Sequence, residues 1–175
     1  ILGNNTLLNT LVLDLAITET HLFAGTFEGV FLSTDNGTTW TRSNSGLTNT
    51  YVTALAVSGT KLFAGTFGGG VFLSTDNGTR WTTVSTHLTN MYIQALATSG
   101  ADLFAGTAGG GVLRSSNDGA SWETVNAGLA DSSIEAIAVL DAAVVVGTRG
   151  GVFVSTNRGT SWVGASAGPT DQNVL

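Results

Sequence analysis

The chain of 175 residues is long enough to bury a core, and only 10% of its residues are charged. A net charge of −6 excludes the basic surface of a nucleic-acid-binding protein, and the absence of Cys excludes disulfides and thiolate metal sites. The hydrophobic content of 42% is typical of a folded chain, and the most apolar window, residues 134–146, is too short to span a bilayer.

Two short phrases recur through the whole chain. The four tryptophans, which end one of these phrases, are 41, 41 and 40 residues apart. The second phrase reads Ala-Gly-Thr or Val-Gly-Thr and occurs at 24–26, 64–66, 105–107 and 146–148. Self-similarity at such a period is the signature of a repeat architecture. We therefore predict four units at about 7–46, 47–87, 88–128 and 129–168, with residues 169–175 beginning a fifth.

Within a unit the pattern is that of short strands separated by turns. In the second unit the predicted strands are 51–57, 61–66, 71–74 and 80–84, with glycines at 68–70 and 78 between them. Four strands in about 41 residues match one blade of a β-propeller, and no helical period is sustained. The prediction is an all-β propeller of four-stranded antiparallel blades, as an arc or as part of a larger ring.

The first strand of each unit alternates small and branched residues. Ala54 and Ala56 flank Leu55, and the later units repeat this arrangement. Such a strand fits next to a propeller axis, where neighbouring blades converge. In the first unit Asp14 replaces the alanine, and its carboxylate needs either a partner or water in the central channel, with water the preferred interpretation.

The tryptophan phrase, Ser-x-Asp-x-Gly-x-x-Trp, resembles the Asp-box, or BNR repeat, of sialidase-like β-propellers. Its residues are Ser33, Asp35, Gly37 and Trp40; Ser74, Asp76, Gly78 and Trp81; Ser115, Asn117, Gly119 and Trp122; and Ser155, Asn157, Gly159 and Trp162. The run from 62 to 78 is similar to repeats of large secreted bacterial propeller proteins. The resemblance implies the fold and an extracellular or cell-surface location. Asp-box propellers include sialidases, xyloglucan-degrading glycosidases, receptors and assembly factors, so fold alone does not assign a function.

We interpret the box residues as structural. Glycine permits a positive φ in the turn, Asp or Asn accepts backbone N–H bonds there, and Trp packs on the sheet. The turns lack the bidentate Glu of a calcium loop, and His21 and His87 occupy unrelated repeat positions. The sequence therefore predicts no metal and no cofactor.

A catalytic set cannot be assembled from the sequence. Glycosidases need two carboxylates facing each other across a cleft. No sequence motif places two of the acidic candidates together; these candidates are Asp14, Glu28, Asp102, Asp131 and Glu135.

One propeller face, formed by two sets of loops, carries the candidate ligand-binding residues. The turns between second and third strands supply Phe27, Glu28, Phe67 and Arg149, and the loops between units supply Asn49, Tyr51, Asn90, Tyr92 and Asp131. Aromatic rings among amides are suited to holding sugars or peptides. The competing interpretation is that Tyr51 and Tyr92 pack between blades.

The sequence is thus interpreted as a non-catalytic extracellular binding or structural module for a glycan or a protein. The alternatives are a fragment of a sialidase-like or xyloglucanase-like glycoside hydrolase, and a structural repeat of a filament or surface assembly. Because an open arc exposes apolar blade faces, we expect self-association, as a dimer of four-blade arcs or an open assembly. Neither nucleic acid nor membrane insertion is expected.

Overall fold

A computed structural model describes residues 7, 8 and 10–165 of the chain, which form four sheets of four antiparallel strands. The first sheet consists of β1 (Val12–Ile17), β2 (Leu22–Thr26), β3 (Gly29–Ser33) and β4 (Thr41–Arg42). The second consists of β5 (Val52–Ser58), β6 (Lys61–Thr66), β7 (Gly70–Ser74) and β8 (Thr82–Thr83). The third consists of β9 (Ile93–Ser99), β10 (Asp102–Thr107), β11 (Gly111–Ser115) and β12 (Glu123–Thr124). The fourth consists of β13 (Ile134–Leu140), β14 (Ala143–Thr148), β15 (Gly151–Ser155) and β16 (Val163–Gly164).

Each sheet pairs its strands in chain order and is one propeller blade, so the predicted fold class is confirmed. No helix in this part of the chain is long and apolar enough to cross a membrane. The fifth unit predicted at 169–175 lies outside the described residues.

The blades pack through their first strands, with β1 on β5, β5 on β9 and β9 on β13. Leu55 lies in a cluster with Phe23 of the first blade, whereas Ala54 and Ala56 lie in a cluster with Ile93 of the third. The branched residue therefore faces the preceding blade and the small residues face the following one, so the two faces of the first strand meet different neighbours, as the sequence predicted.

The glycine of each Ala-Gly-Thr phrase permits this close approach. A Cβ atom on Gly65 would lie 2.5 Å from Ile93 Cγ2 of the next blade, and one on Gly106 would lie 2.5 Å from Ile134 Cγ2. Both distances are shorter than carbon atoms tolerate, so any larger residue would push the blades apart.

In the second, third and fourth blades, the box tryptophan forms hydrogen bonds to the preceding blade. Trp81 is 1% exposed, and its ring Nε1–H donates to the Ser43 carbonyl of the first blade at 2.7 Å. Its backbone N–H also donates across the interface, to the Ser45 carbonyl at 2.8 Å. Trp122 and Trp162 repeat the ring bond to the Val84 and Val125 carbonyls. The box tryptophan therefore stabilises the contact between blades as well as its own turn.

The fourth strands are shorter than predicted, and this part of the sequence interpretation was wrong. Residues 80–84 were expected to form a strand, but β8 contains only Thr82 and Thr83. The physical reason is that the N–H groups of Arg80 and Trp81 bond to Asp76 and to Ser45, and not to β7.

The box turns have the hydrogen bonds that the sequence indicated. Asp76 Oδ1 accepts the Arg80 N–H at 2.9 Å and the Ser74 hydroxyl at 2.8 Å. Asn117 Oδ1 accepts the equivalent bonds from Ser121 and Ser115, both at 2.9 Å. An amide oxygen thus performs the same function as the carboxylate, which explains why both residue types occur.

We expect Trp81→Ala to lower the free energy of unfolding by about 3–5 kcal/mol, because it empties a large buried site between two blades. Denaturant unfolding followed by circular dichroism measures this change. Thr83→Ala, at an exposed neighbouring position, is the control and should have little effect. Equal losses in the two variants would contradict the role given to the tryptophan.

The box carboxylates should make stability depend on acid pH. The Thr39 hydroxyl holds the pKa of Asp35 below its usual 3.8, and the Arg80 N–H lowers the pKa of Asp76. A lowered pKa in the folded state stabilises the fold above about pH 3.8, and this contribution is lost as the pH falls through the folded-state pKa. Urea unfolding between about pH 5 and pH 2 should therefore show a steeper loss in the wild type than in the double variant Asp35→Asn/Asp76→Asn. Identical slopes would contradict this account.

Candidate binding face

The antiparallel order of the strands sorts the loops onto two ends of the blades. One end carries the box turns. The other, which we call the binding face, carries the turns after β2, β6, β10 and β14 and the loops that enter β5, β9 and β13. All of the candidate ligand-binding residues lie on or beside the binding face.

The turns of the binding face are held by buried threonines. In the second blade the Thr66 hydroxyl donates to the Gly70 carbonyl at 2.9 Å, and Gly70 has a φ of 74°. Thr107 repeats the bond to Gly111. Residues at the tips, such as Phe67, are therefore held on rigid hairpins.

The polar candidates of the loops between blades make structural hydrogen bonds. Asn49 Oδ1 accepts the Tyr51 N–H, and its Nδ2 donates to the Phe67 carbonyl at 3.2 Å. Asn90 makes the same pair of bonds to Tyr92 and Ala108. These side chains connect each loop to the adjacent hairpin. The Asp131 carboxylate does the same by accepting the N–H groups of Ser133 and Gly150.

The aromatic candidates form a continuous row across three blades. Phe27 and Tyr51 have ring centroids 4.3 Å apart, Tyr51 and Phe67 5.2 Å, and Phe67 and Tyr92 4.9 Å. The rings meet in edge-on or tilted contacts, as aromatic pairs prefer. All four remain 36–48% exposed, so the aromatic row packs against itself and still presents apolar surface to solvent.

Beyond Tyr92 the binding face carries small and charged residues in place of aromatic ones. Ala108 and Ser133 occupy the next positions, and Arg149 follows with its Nε 3.1 Å from Glu135 Oε1. A depression of about 420 Å³ lies beside the last ring, lined by Gly68, Thr89, Asn90, Met91 and Tyr92. The aromatic row therefore ends next to a concave surface.

A second depression, of about 310 Å³, lies along the first strands, and the sequence analysis did not identify its polar lining. A bulge in these strands leaves one unpaired residue per blade, which is Thr53 in β5, Gln94 in β9 and Glu135 in β13. Gln94 Nε2 donates to Glu135 Oε2 at 3.3 Å, while its buried Oε1 has no partner among the described residues. At this repeat position the sequence has Leu13 in the first unit and polar residues in the other three, between mostly apolar neighbours.

The acidic candidates are separated from one another and are bound to donors. Asp14 accepts the Leu15 and Leu55 N–H groups, so its carboxylate has backbone partners. Glu28 pairs with Arg42. Asp102 is buried, with Arg114 Nε at 3.3 Å. In the described part of the chain, no three His, Asp or Glu side chains are grouped as metal ligands.

Comparison with known proteins supports this architecture. The family model for the BNR/Asp-box repeat matches residues 31–42. An ancestral GH74 enzyme superposes with a TM-score of 0.76 at 26% identity, covering 91% of this chain and 24% of its own. The GH74 xyloglucanase from Xanthomonas campestris superposes with a TM-score of 0.69 at 16% sequence identity, and the match covers 97% of this chain and 32% of the xyloglucanase. The extracellular domain of BT4673 from B. thetaiotaomicron superposes with a TM-score of 0.73 at 20% sequence identity, and the match covers 94% of this chain and 23% of that domain's chain.

A comparison with curated protein sequences found no match. The chain spans between a quarter and a third of the length of the two GH74 structures. These similarities show an Asp-box repeat in a β-propeller fold, and they support a propeller module.

Proposed function

We propose that this chain is a non-catalytic extracellular binding module whose aromatic row holds an extended neutral glycan. The observation that carries the proposal is that four rings in contact remain exposed, two on hairpins and two on the loops between blades. A monomeric protein seldom leaves contiguous apolar surface open without a binding partner. Aromatic rings combine a large apolar contact area with little loss of conformational entropy on binding.

The chemistry of the row favours a glycan over a charged ligand. The only charged candidate among its turns, Glu28, is paired with Arg42. In the described part of the chain, the phenol oxygens of Tyr51 and Tyr92 make no hydrogen bond, which leaves them available to sugar hydroxyls. A ligand with apolar ring faces and many hydroxyls matches this combination of groups.

The acidic side chains support a non-catalytic role. Each carboxylate that the sequence raised as a candidate is bound to backbone N–H groups or to an arginine. The extracellular location is supported by the structural similarity to the BT4673 extracellular domain.

A fragment of a glycoside hydrolase is the second candidate function, and the similarity to GH74 enzymes favours it. Release of reducing ends from xyloglucan that is lost in Glu28→Gln, Asp102→Asn or Asp131→Asn would establish that alternative and contradict the non-catalytic assignment.

Calorimetric titration with xyloglucan oligosaccharides tests the binding proposal, since a GH74 xyloglucanase shares the fold. We expect saturable binding that weakens at least tenfold, or by about 1.4 kcal/mol, in Tyr51→Ala and in Phe67→Ala. The control is Val163→Ala, which truncates an exposed apolar side chain of the fourth blade that lies outside the aromatic row.

Two outcomes would contradict the proposal. One is the absence of binding to xyloglucan and to every other neutral polysaccharide on a glycan array. The other is binding that is unchanged in both ring variants while circular dichroism shows that they are folded.

A further inference from the structure

The second blade buries apolar residues of its first strand against both of its neighbours, and the equivalent alanines of the third blade, Ala95 and Ala97, are half-buried. Leu55 is 6% exposed and lies in a cluster with Phe23 of the preceding blade. On the opposite side of the sheet, Ala54 and Ala56 lie in a cluster with Ile93 of the following blade. A blade therefore has a leucine-bearing face toward the preceding blade and an alanine-bearing face toward the following one.

Among the described residues, none covers the leucine-bearing face of the first blade. Leu15 occupies the repeat position of Leu55 but is 62% exposed, and Ile17 beside it is 70% exposed. We call these two residues the first-blade face. Branched side chains at this position are buried at the next interface, between the first and second blades.

Within residues 10–165, nothing covers the alanine-bearing face of the fourth blade. Ala136 and Ala138 are exposed, although Ala54 and Ala56 at the same repeat positions are buried. Val145 lies beside them and is half-buried. We call these three residues, Ala136, Ala138 and Val145, the fourth-blade face.

We infer that the fourth-blade face of one copy of this chain binds the first-blade face of a second copy. Two arcs of four blades then close into an eight-bladed ring with two identical interfaces. The contact continues the packing that already joins the blades within the chain, with the alanine-bearing face of one blade on the leucine-bearing face of the next. This partner is independent of any ligand on the aromatic row.

The sizes of the side chains fit this contact. The fourth blade has Val145 where the other blades have a buried phenylalanine, at Phe23, Phe63 and Phe104. The first blade has Ile17 where the second has the smaller Val57. The larger side chain on one face fills part of the volume that the smaller one leaves on the other.

The charges fit as well. At one repeat position a charged pair joins the blades in two of the three internal interfaces. Lys61 Nζ lies 2.5 Å from Asp118 Oδ2, and Arg158 Nη1 lies 3.8 Å from Asp102 Oδ2. The signs are reversed between these two interfaces, so each pair suits its own neighbour. At the contact between copies the same position holds Ala143 and Asn36, and no charge is left unpaired.

Closure favours two copies over an open assembly. A chain of arcs joined end to end leaves one apolar face uncovered at each end, whereas two arcs in a ring cover all of the faces. Head-to-tail contacts close into a ring when the rotation between units allows it.

Sedimentation velocity on the full chain at micromolar concentration tests the inference. We expect a species of about twice the 17.8 kDa chain mass. Leu15→Asp and Ala138→Arg should each weaken dimerisation at least a hundredfold. Val163→Asp is the control, because this position is equivalent to Thr82 and Glu123, which stay exposed in blades with two neighbours.

Mixing the two interface variants separates loss of contact from loss of folding. In the mixed dimer one interface joins the intact fourth-blade face of Leu15→Asp to the intact first-blade face of Ala138→Arg. The other interface sets the introduced arginine against the introduced aspartate, which have opposite charges, so the mixture should recover the doubled mass. A monomeric wild type, a series of growing oligomers without a dimer, or a dimer unaffected by both variants would each overturn the inference.

Discussion

The contact between neighbouring blades is the constraint on which the rest of the structure depends. A four-stranded sheet of this size has two apolar faces and cannot bury either of them alone. The chain meets this constraint with a small set of repeated devices. Glycines such as Gly65 admit the next blade, alanines and leucines alternate on the first strands, and a tryptophan donates its ring N–H to the preceding blade. The box turn, with its Ser-Asp or Ser-Asn hydrogen bonds, holds that tryptophan in place.

The same contact positions the binding face. Tyr51 and Tyr92 lie in loops that cross from one blade to the next, and each meets a phenylalanine on an adjacent hairpin. The aromatic row is continuous only because the blades are held in register by the contacts beneath it. Asn49 and Asn90 add hydrogen bonds between loop and hairpin, which hold the loops that carry the two tyrosines. A preformed row of this kind lowers the entropic cost of binding.

The repeat made much of this predictable. A local pattern that occurs four times shows which positions are constant, and the strand order, the box turn and the two faces of the first strand follow from it. The individual hydrogen bonds between blades were not predictable, because they join residues about 40 positions apart. The partner of Asp14 is the N–H of Leu55, and the N–H of Trp81 leaves its own sheet for Ser45. The sequence showed polar groups at Asn90 and Gln94 but gave no sign that Asn90 is bound to a hairpin and that Gln94 has an unpartnered oxygen.

Amide hydrogen exchange, measured strand by strand at several protein concentrations, tests most directly the claim that every blade depends on a neighbour. The account predicts that Val12–Ile17 and Ile134–Leu140 are protected nearly as well as Val52–Ser58 at high concentration, and that only the two end strands lose protection on dilution. End strands that exchange rapidly at every concentration, beside a protected Val52–Ser58, would contradict it.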